Sequence, residues 1–512
     1  MNLPNRRLAV AAMLFTASLA SLAPLGTGRL AAQLPAADHA AKRQTVIDAM
    51  TSDGILFVEG SGNPTREDQD FMQSQNFQAL TGVLQPGSAL IIWKKGGTVG
   101  QRIVVPPKPA YAWEGEQIGP EDASRMMGIP GIPTTAMPAL LDSLDAKHSK
   151  VYLIGEDTGW PGLSTQLKQI LGDSGVIAPR GGRRGGGGGG GAAGGRAGGR
   201  SAAPAPNPAM GDYFAISTAM NQARARKTDA EIALLRKAAE ISVEGHKAAM
   251  RMVFPGVYEY QIRGVFEGTI FGLGAERYGY PSIVGAGADA TYLHYSADTM
   301  QSKAGDAVVM DAAADYHGYS ADVTRTFPVS GKFSPEQKII YEAVLAAQTA
   351  AAATVHPGST SAQENAAANL ELQKGLVKAG LIDSIGAMYE AEGGRKVTQL
   401  SLFYFHGLGH GLGLNVHDPI YTESGAYVKN SIFTIEPGLY VRPMSLQMVP
   451  DVPGNAAFRA RLAKAMPKYS GIGTRIEDDF VVTDRGVVCL SCGAPHSLAE
   501  VEAVAGKNPL KH

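Results

Sequence analysis

Residues 405–415 read Phe-His-Gly-Leu-Gly-His-Gly-Leu-Gly-Leu-Asn, and the chain runs on through Val416, His417, Asp418 and Pro419. His406, His410 and His417 thus fall within twelve positions, interleaved with glycines and apolar residues. Imidazole is both a common metal ligand and a proton carrier near neutral pH. Glycine lets backbone and side chains crowd around a small site. A lone histidine on an apolar face is ordinarily a satisfied core residue; three of them bracketed by glycine point to chemistry. Which chemistry depends on the groups that the rest of the chain delivers.

Carboxylates are those groups. Residues 305–311 read as a turn feeding a strand that ends at Asp311, residues 316–319 as a hairpin-type turn, and residues 321–326 as a returning strand that carries Asp322. An antiparallel hairpin brings these two aspartates, eleven positions apart, side by side on one face. Without a counter-charge they repel and one takes up a proton; a divalent cation removes the conflict. A solvated surface hairpin is the plain alternative, and the apolar Val308, Val309 and Met310 argue for burial instead. Glu436 lies inside the run 432–438 and Glu477 inside 473–482, both largely apolar. A buried, unpaired carboxylate costs several kcal/mol or goes neutral. For Glu477 the plain alternative is an ion pair with Arg475, two residues away on the same strand face; Glu436 has no such partner nearby.

Asp311, Asp322, His410, Glu436 and Glu477 together give four carboxylates and one imidazole. That oxygen-rich set suits two divalent ions, manganese more naturally than a thiolate-seeking metal. Two such ions about 3.5–4 Å apart can share carboxylates, hold a bridging hydroxide and polarise a carbonyl. The residues themselves therefore point to metal-assisted hydrolysis.

The rest of the chain sets the frame. Its 512 residues allow two to four domains. A hydrophobic fraction of 44%, a charged fraction of 18% and a net charge of −1 fit a globular protein with no global pull toward nucleic acid or an anionic membrane. Residues 1–32 read as a signal peptide: Arg6 and Arg7, an apolar stretch from Leu8 to Leu25, and Leu30-Ala31-Ala32 before Gln33. Export, to a periplasm or beyond, is the expectation. Beyond this leader no run reaches the roughly 18 continuous apolar residues of a membrane span.

Apolar runs at 54–58, 89–93, 102–105 and 151–154 read as strands, with helices at 120–127 and 162–171 between them. An α/β domain over residues 43–213 is the expectation. Within it, residues 180–208 are almost wholly Gly, Ala and Arg at their centre, a composition that buries too little to order itself. Contact of that tract with RNA is disfavoured by its lack of aromatic residues. The second unit, 221–505, reads as α+β. Thr228 with Glu231, and Ser334 with Gln337, mark capped helix starts; a third helix begins at Ser361 and ends near Gly380.

Gly285-Ala286-Gly287-Ala288-Asp289-Ala290 matches a dinucleotide fingerprint, which works only where it opens a helix. Residues 292–295 read as strand instead, so the glycines are expected to form a turn that positions His294. Cys489 and Cys492 lack further zinc ligands and a helix start, which leaves buried thiols or a local disulfide.

The five acid and imidazole residues, in this order and with these neighbours, resemble the pita-bread metallopeptidases. The matching stretches are residues 310–316, 320–327, 406–413, 435–440 and 475–478. Within that family the likeness is greatest to aminopeptidase P, with support from residues 76–82 and from Trp113-Glu114-Gly115. The resemblance implies an α+β pita-bread catalytic domain preceded by an α/β domain. It implies that Asp322 and Glu477 bridge two metal ions, that Asp311 completes one shell, and that His410 and Glu436 complete the other. Glu436 would also take the proton of the attacking water. His294, His406 and His417 would line the substrate site, with Arg475 and Tyr440 holding the carboxylates in place. The implied substrates are peptides with proline in the second position, and the implied assembly is a dimer or larger. A prolidase restricted to dipeptides and a silent peptide-binding relative are the competing expectations. Residues 444–469 look like an insertion expected to cover the mouth of the site, and nothing in the family explains the glycine-arginine tract.

Overall fold

The structure is a computed structural model that describes residues 34–64, 71–109, 117–178 and 208–507. The expected signal peptide, the tract from 180 to 207 and Trp113-Glu114-Gly115 lie outside the described residues.

Five strands form the first sheet: β1 Gly54–Glu59, β2 Ala89–Lys95, β3 Thr98–Val105, β4 Gly131–Pro133 and β5 Val151–Ile154, in the order β4-β3-β2-β1-β5. Strand side chains alternate faces, and here both faces are covered. Leu56, Val58, Leu90 and Ile92 pack toward helices α1 (Ala36–Asp48), α2 (Gln75–Thr81) and α3 (Pro120–Met127). Ile55, Phe57, Ala89 and Ile91 face α4 (Met137–Ser143) and α5 (Ser164–Leu171). Burial on both sides explains why these strands read as continuous apolar runs rather than alternating ones. The long α6, Pro208–Ala225, adds Tyr213, Ile216, Met220 and Ala223 to the first of these cores.

The second unit starts with α7, Asp229–Met252, capped as its sequence predicts: Glu231 N–H donates to Thr228 Oγ1 and Thr228 N–H to the Glu231 carboxylate. Helix α8, Glu259–Gly272, follows, then short strands β6 (Arg277–Tyr278) and β7 (Ile283–Ala286). The expected hairpin is present. Strand β8, Ala307–Asp311, is buried throughout, and β9 (Ala314–Tyr316) turns into β10 (Tyr319–Ser320) through His317 and Gly318, at φ 54° and 84°. Two consecutive positive φ values are what a tight two-residue hairpin turn demands. Strand β11, Thr324–Pro328, returns antiparallel to β8 with Thr324 opposite Asp311.

Helices α9 (Pro335–Thr354) and α10 (Ser361–Lys378) pack against each other and into the main core, with the predicted Ser334–Gln337 cap in place. Two small hairpins follow, β12–β13 (Met388–Glu390, Lys396–Thr398) and β14–β15 (Thr422–Glu423, Ala426–Tyr427). Strands β16 (Ile432–Ile435), β17 (Gly438–Val441), β18 (Ile472–Arg475), β19 (Asp478–Thr483) and β20 (Gly486–Cys489) complete the unit with α11 (Ala456–Tyr469) and α12 (Leu498–Val504). Strand β19 lies between β16 and β20, and β17 pairs with β18.

Two expectations fail here. Residues 292–295 form no strand: Leu293 and His294 make a turn, directly after the 3-10 helix Gly287–Thr291 has redirected the chain. None of residues 444–469 lines the site cavity, so the expected cover is not seen among its walls. Helix α11 turns Phe458, Leu462 and Tyr469 into the main core, with the Phe458 ring 5.6 Å from that of Tyr389, and none of its residues lines the cavity described below. Cys489 and Cys492 form a disulfide. Among the described residues no helix is long and apolar enough to cross a membrane.

Candidate active site

Backbone pairing brings the acids together. Asp311 ends β8, Asp322 precedes β11, and Glu477 sits between β18 and β19, where its N–H donates to Thr324 O at 3.1 Å. Three elements therefore meet at Thr324. Oxygens of Asp311, Asp322 and Glu477 all lie within 4.8 Å of one another.

The glycine-histidine loop docks on β16 from the other side. His410 and Thr434 exchange hydrogen bonds, His410 N–H to Thr434 Oγ1 at 3.1 Å and Thr434 N–H to His410 O at 2.9 Å. Glu436 N–H donates to Leu408 O at 2.8 Å. Gly409 is required by this approach, since a Cβ there would stand 1.9 Å from Thr434 O. The docking sets His410 Nε2 3.5 Å from Glu436 Oε1 and 3.3 Å from Asp322 Oδ2. His410, Glu436 and Glu477 form a second group of atoms within 4.8 Å, and Glu477 belongs to both groups.

All five predicted ligands thus converge. With them Leu293, His294, Phe405, His406, His417 and Arg475 line one cavity of about 420 Å³. His294 and His417 stand exposed at its edge, and the His417 ring lies 4.0 Å from that of His410. A larger cavity of about 870 Å³, between α1, α6 and residues 419–430, contains none of the five.

Arg475 does not pair with Glu477. Its Nη2 donates to Asp311 Oδ2 at 2.5 Å, its Nη1 to Tyr440 O–H at 3.1 Å and its Nε to Thr324 Oγ1 at 3.1 Å. The Thr324 hydroxyl in turn donates a hydrogen bond to Glu477 Oε2 at 2.6 Å. Tyr280, which no sequence signal marks, donates to the other oxygen of Asp311 at 2.5 Å. His406 Nδ1 lies 2.7 Å from Gly407 O, an atom that can only accept, so Nδ1 carries the hydrogen. Its Nε2 then accepts from Tyr440 O–H at 2.9 Å.

Burial and mutual repulsion dominate the electrostatics. Asp322 and Glu477 are pushed well above the usual carboxylate range, by desolvation first and then by neighbouring acids. Glu436 is raised to about 8 by burial and the Glu477 charge. Burial and then Arg475 hold His406 down at about 3, so its ring is neutral.

The donor set fits divalent cations. Asp322 Oδ1 is buried and has no hydrogen-bond partner. His410 Nδ1 faces Gly411 O at 3.2 Å, which fixes its hydrogen there and turns the bare Nε2 toward two carboxylates. A lone pair aimed at anions is unfavourable alone and is the usual arrangement of a metal-binding histidine. A cation resolves every one of these conflicts.

The sequence profile described as "Metallopeptidase family M24" matches residues 233–484, and that described as "Aminopeptidase P, N-terminal domain" matches residues 39–152. The chain belongs to metallopeptidase family M24. It is 28% identical over 477 residues to the Xaa-Pro aminopeptidase of Escherichia coli, covering 90% of this chain and 96% of that protein. It is 32% identical over 307 residues to the human Xaa-Pro dipeptidase, covering 55% of this chain and 60% of that one. The solved structure of Pseudomonas aeruginosa aminopeptidase PepP superposes with a TM-score of 0.70 at 26% identity, over 92% of this chain and 98% of that one. The expected architecture, an α/β domain followed by a pita-bread catalytic domain, is the one found, and this M24 chain is a metallo-aminopeptidase that uses divalent metal ions.

Proposed function

We propose that this M24 enzyme removes the N-terminal residue from peptides whose second residue is proline, and that its two cations are manganese. Convergence of Asp311, Asp322, His410, Glu436 and Glu477 in one cavity carries the reading. Full-length similarity to the Escherichia coli Xaa-Pro aminopeptidase supports the substrate. Asp322 and Glu477 would be shared between the ions, with Asp311 on one side and His410 and Glu436 on the other. When bound, the ions supply Lewis acidity toward the scissile carbonyl and toward a water.

The chain's own residues do the rest. Glu436 is the base: its carboxylate, in the cavity with Oε1 3.5 Å from His410 Nε2, accepts the water's proton. His406 presents a neutral ring whose Nδ1 lies 3.8 Å from Glu436 Oε2, which places it on the wall of the substrate site. His294 and His417 hold the peptide at the cavity edge. A bond to proline has no N–H to pair in strand fashion, so these side chains orient it in place of a backbone ladder. Leu293 and Phe405 give the cavity an apolar wall. The leader-like residues 1–32, with the Cys489–Cys492 disulfide, support export to a periplasm or beyond.

The human dipeptidase match favours a second reading, a prolidase, but it spans only 55% of this chain, and residues 39–152 carry the aminopeptidase P profile. Purified protein supplied with Mn²⁺ is assayed on Xaa-Pro and on Xaa-Pro-Yaa peptides. Release of the first residue from the longer peptide is expected; cleavage of the dipeptide alone overturns the proposal.

A further inference from the structure

His246 lies on α7, outside the cavity and fully buried, and no step above uses it. Its Nε2 is 2.9 Å from Ala312 O and 3.0 Å from Val323 O. Both are carbonyl oxygens and only accept, so Nε2 carries the hydrogen and donates to both at once. Nδ1 is then a bare lone pair; it has no hydrogen-bond partner, and the ring meets the edge of Phe266 at 5.1 Å. Burial first, then Arg325, holds the ring at about 4, so it stays neutral. One helical turn earlier, Ser242 Oγ accepts from Ala314 N–H at 2.9 Å, so the same face of α7 grips the same strands twice.

The two carbonyls belong to the residues that directly follow Asp311 and Asp322. Those strands also pair there, Ala312 N–H donating to Val323 O at 3.1 Å. We infer that His246 is a positioning residue of the metal centre: its single Nε2–H ties the backbones behind Asp311 and Asp322 and fixes the spacing at which the two carboxylates meet a cation. A buried imidazole with one unsatisfied nitrogen is otherwise unfavourable, and an apolar side chain would fill the space without tying the strands. The inference rests on the reading of Asp311 and Asp322 as ligands.

The test compares His246→Gln, whose amide reaches the same point with an N–H, and His246→Leu, which fills volume without a donor. Mn²⁺ affinity of the metal-stripped protein is measured by calorimetry, together with its thermal unfolding. The leucine variant is expected to bind Mn²⁺ about 10–100-fold more weakly, the glutamine variant within a few-fold of the parent. Equal losses in both variants, or an unchanged leucine variant, overturn the inference. A parent protein that binds no Mn²⁺ overturns instead the function proposed above. Should the leucine variant not fold, ¹⁵N spectra of the parent decide: an Nε2–H ring is expected, and an Nδ1–H ring contradicts the inference.

Discussion

Arg475 is paired with Asp311, 2.5 Å away between Nη2 and Oδ2, and not with Glu477 two positions along its own chain. The choice has a backbone cause. Strand β18 ends at Arg475, and Glu477 bridges Thr324 through its backbone and takes its hydrogen bond from the Thr324 hydroxyl. The guanidinium is therefore free to brace the outer oxygen of one ligand, while Thr324 relays its support to another.

Arg475→Lys should keep the charge and lose the fork. One ammonium cannot reach Asp311, Tyr440 and Thr324 at three separate angles. Mn²⁺ affinity and kcat are expected to fall about 10–100-fold, as for other groups that hold ligands from behind. Calorimetry and steady-state kinetics check this; a variant with both values unchanged contradicts it.

Asp418 should couple the two units. It follows His417 directly, accepts from Lys227 Nζ at 2.8 Å and from Arg224 Nη2, and Arg224 Nη1 reaches Asn76 of the first unit at 2.9 Å. Asp418→Asn leaves two buried cations short of their counter-charge, which typically destabilises by about 3–5 kcal/mol. Urea unfolding measures the loss. A change below about 1 kcal/mol, the range of exposed pairs, would show that the cluster does not hold the units together.

Glu364 should make stability fall with rising pH. The side chain is buried, accepts from Tyr427 O–H at 2.7 Å, and burial lifts it from 4.5 to about 7. The folded state thus holds this proton where the unfolded chain releases it. Its contribution is intact below about pH 4.5 and is lost as pH rises to about 7, amounting to roughly 3 kcal/mol at 1.36 kcal/mol per unit. Glu364→Gln is expected to match the parent at pH 4.5 and to exceed it in stability at pH 8. Equal stabilities at pH 8 contradict the assignment.

Much of this site is legible in the sequence. Asp311 and Asp322 announce themselves by lying eleven positions apart around His317-Gly318, because hairpin pairing is local and period-two. Glu436 and Glu477 stand out because carboxylates rarely sit in apolar strands unpaired. What stays hidden is held by contacts between distant segments. Tyr280 reaches Asp311 from 31 positions away and His246 reaches Val323 from 77, with nothing in their neighbours to flag them. The strand expected at 292–295 gave way to a turn for the same reason: its apolar pattern is short, and the preceding 3-10 turn decides its course. Residues 444–469 misled because length alone does not show which face an insertion packs against.

The most direct test strips the protein of metal, restores Mn²⁺ by titration, and follows release of the first residue from an Xaa-Pro-Yaa peptide alongside bound metal. Activity is predicted to be absent in the stripped protein and to return as two ions bind. In Asp322→Asn, which weakens a carboxylate proposed to bridge the two ions, ion binding and activity should be lost together. Full turnover by the stripped protein, or an Asp322→Asn variant that binds Mn²⁺ and turns over like the parent, would contradict the account.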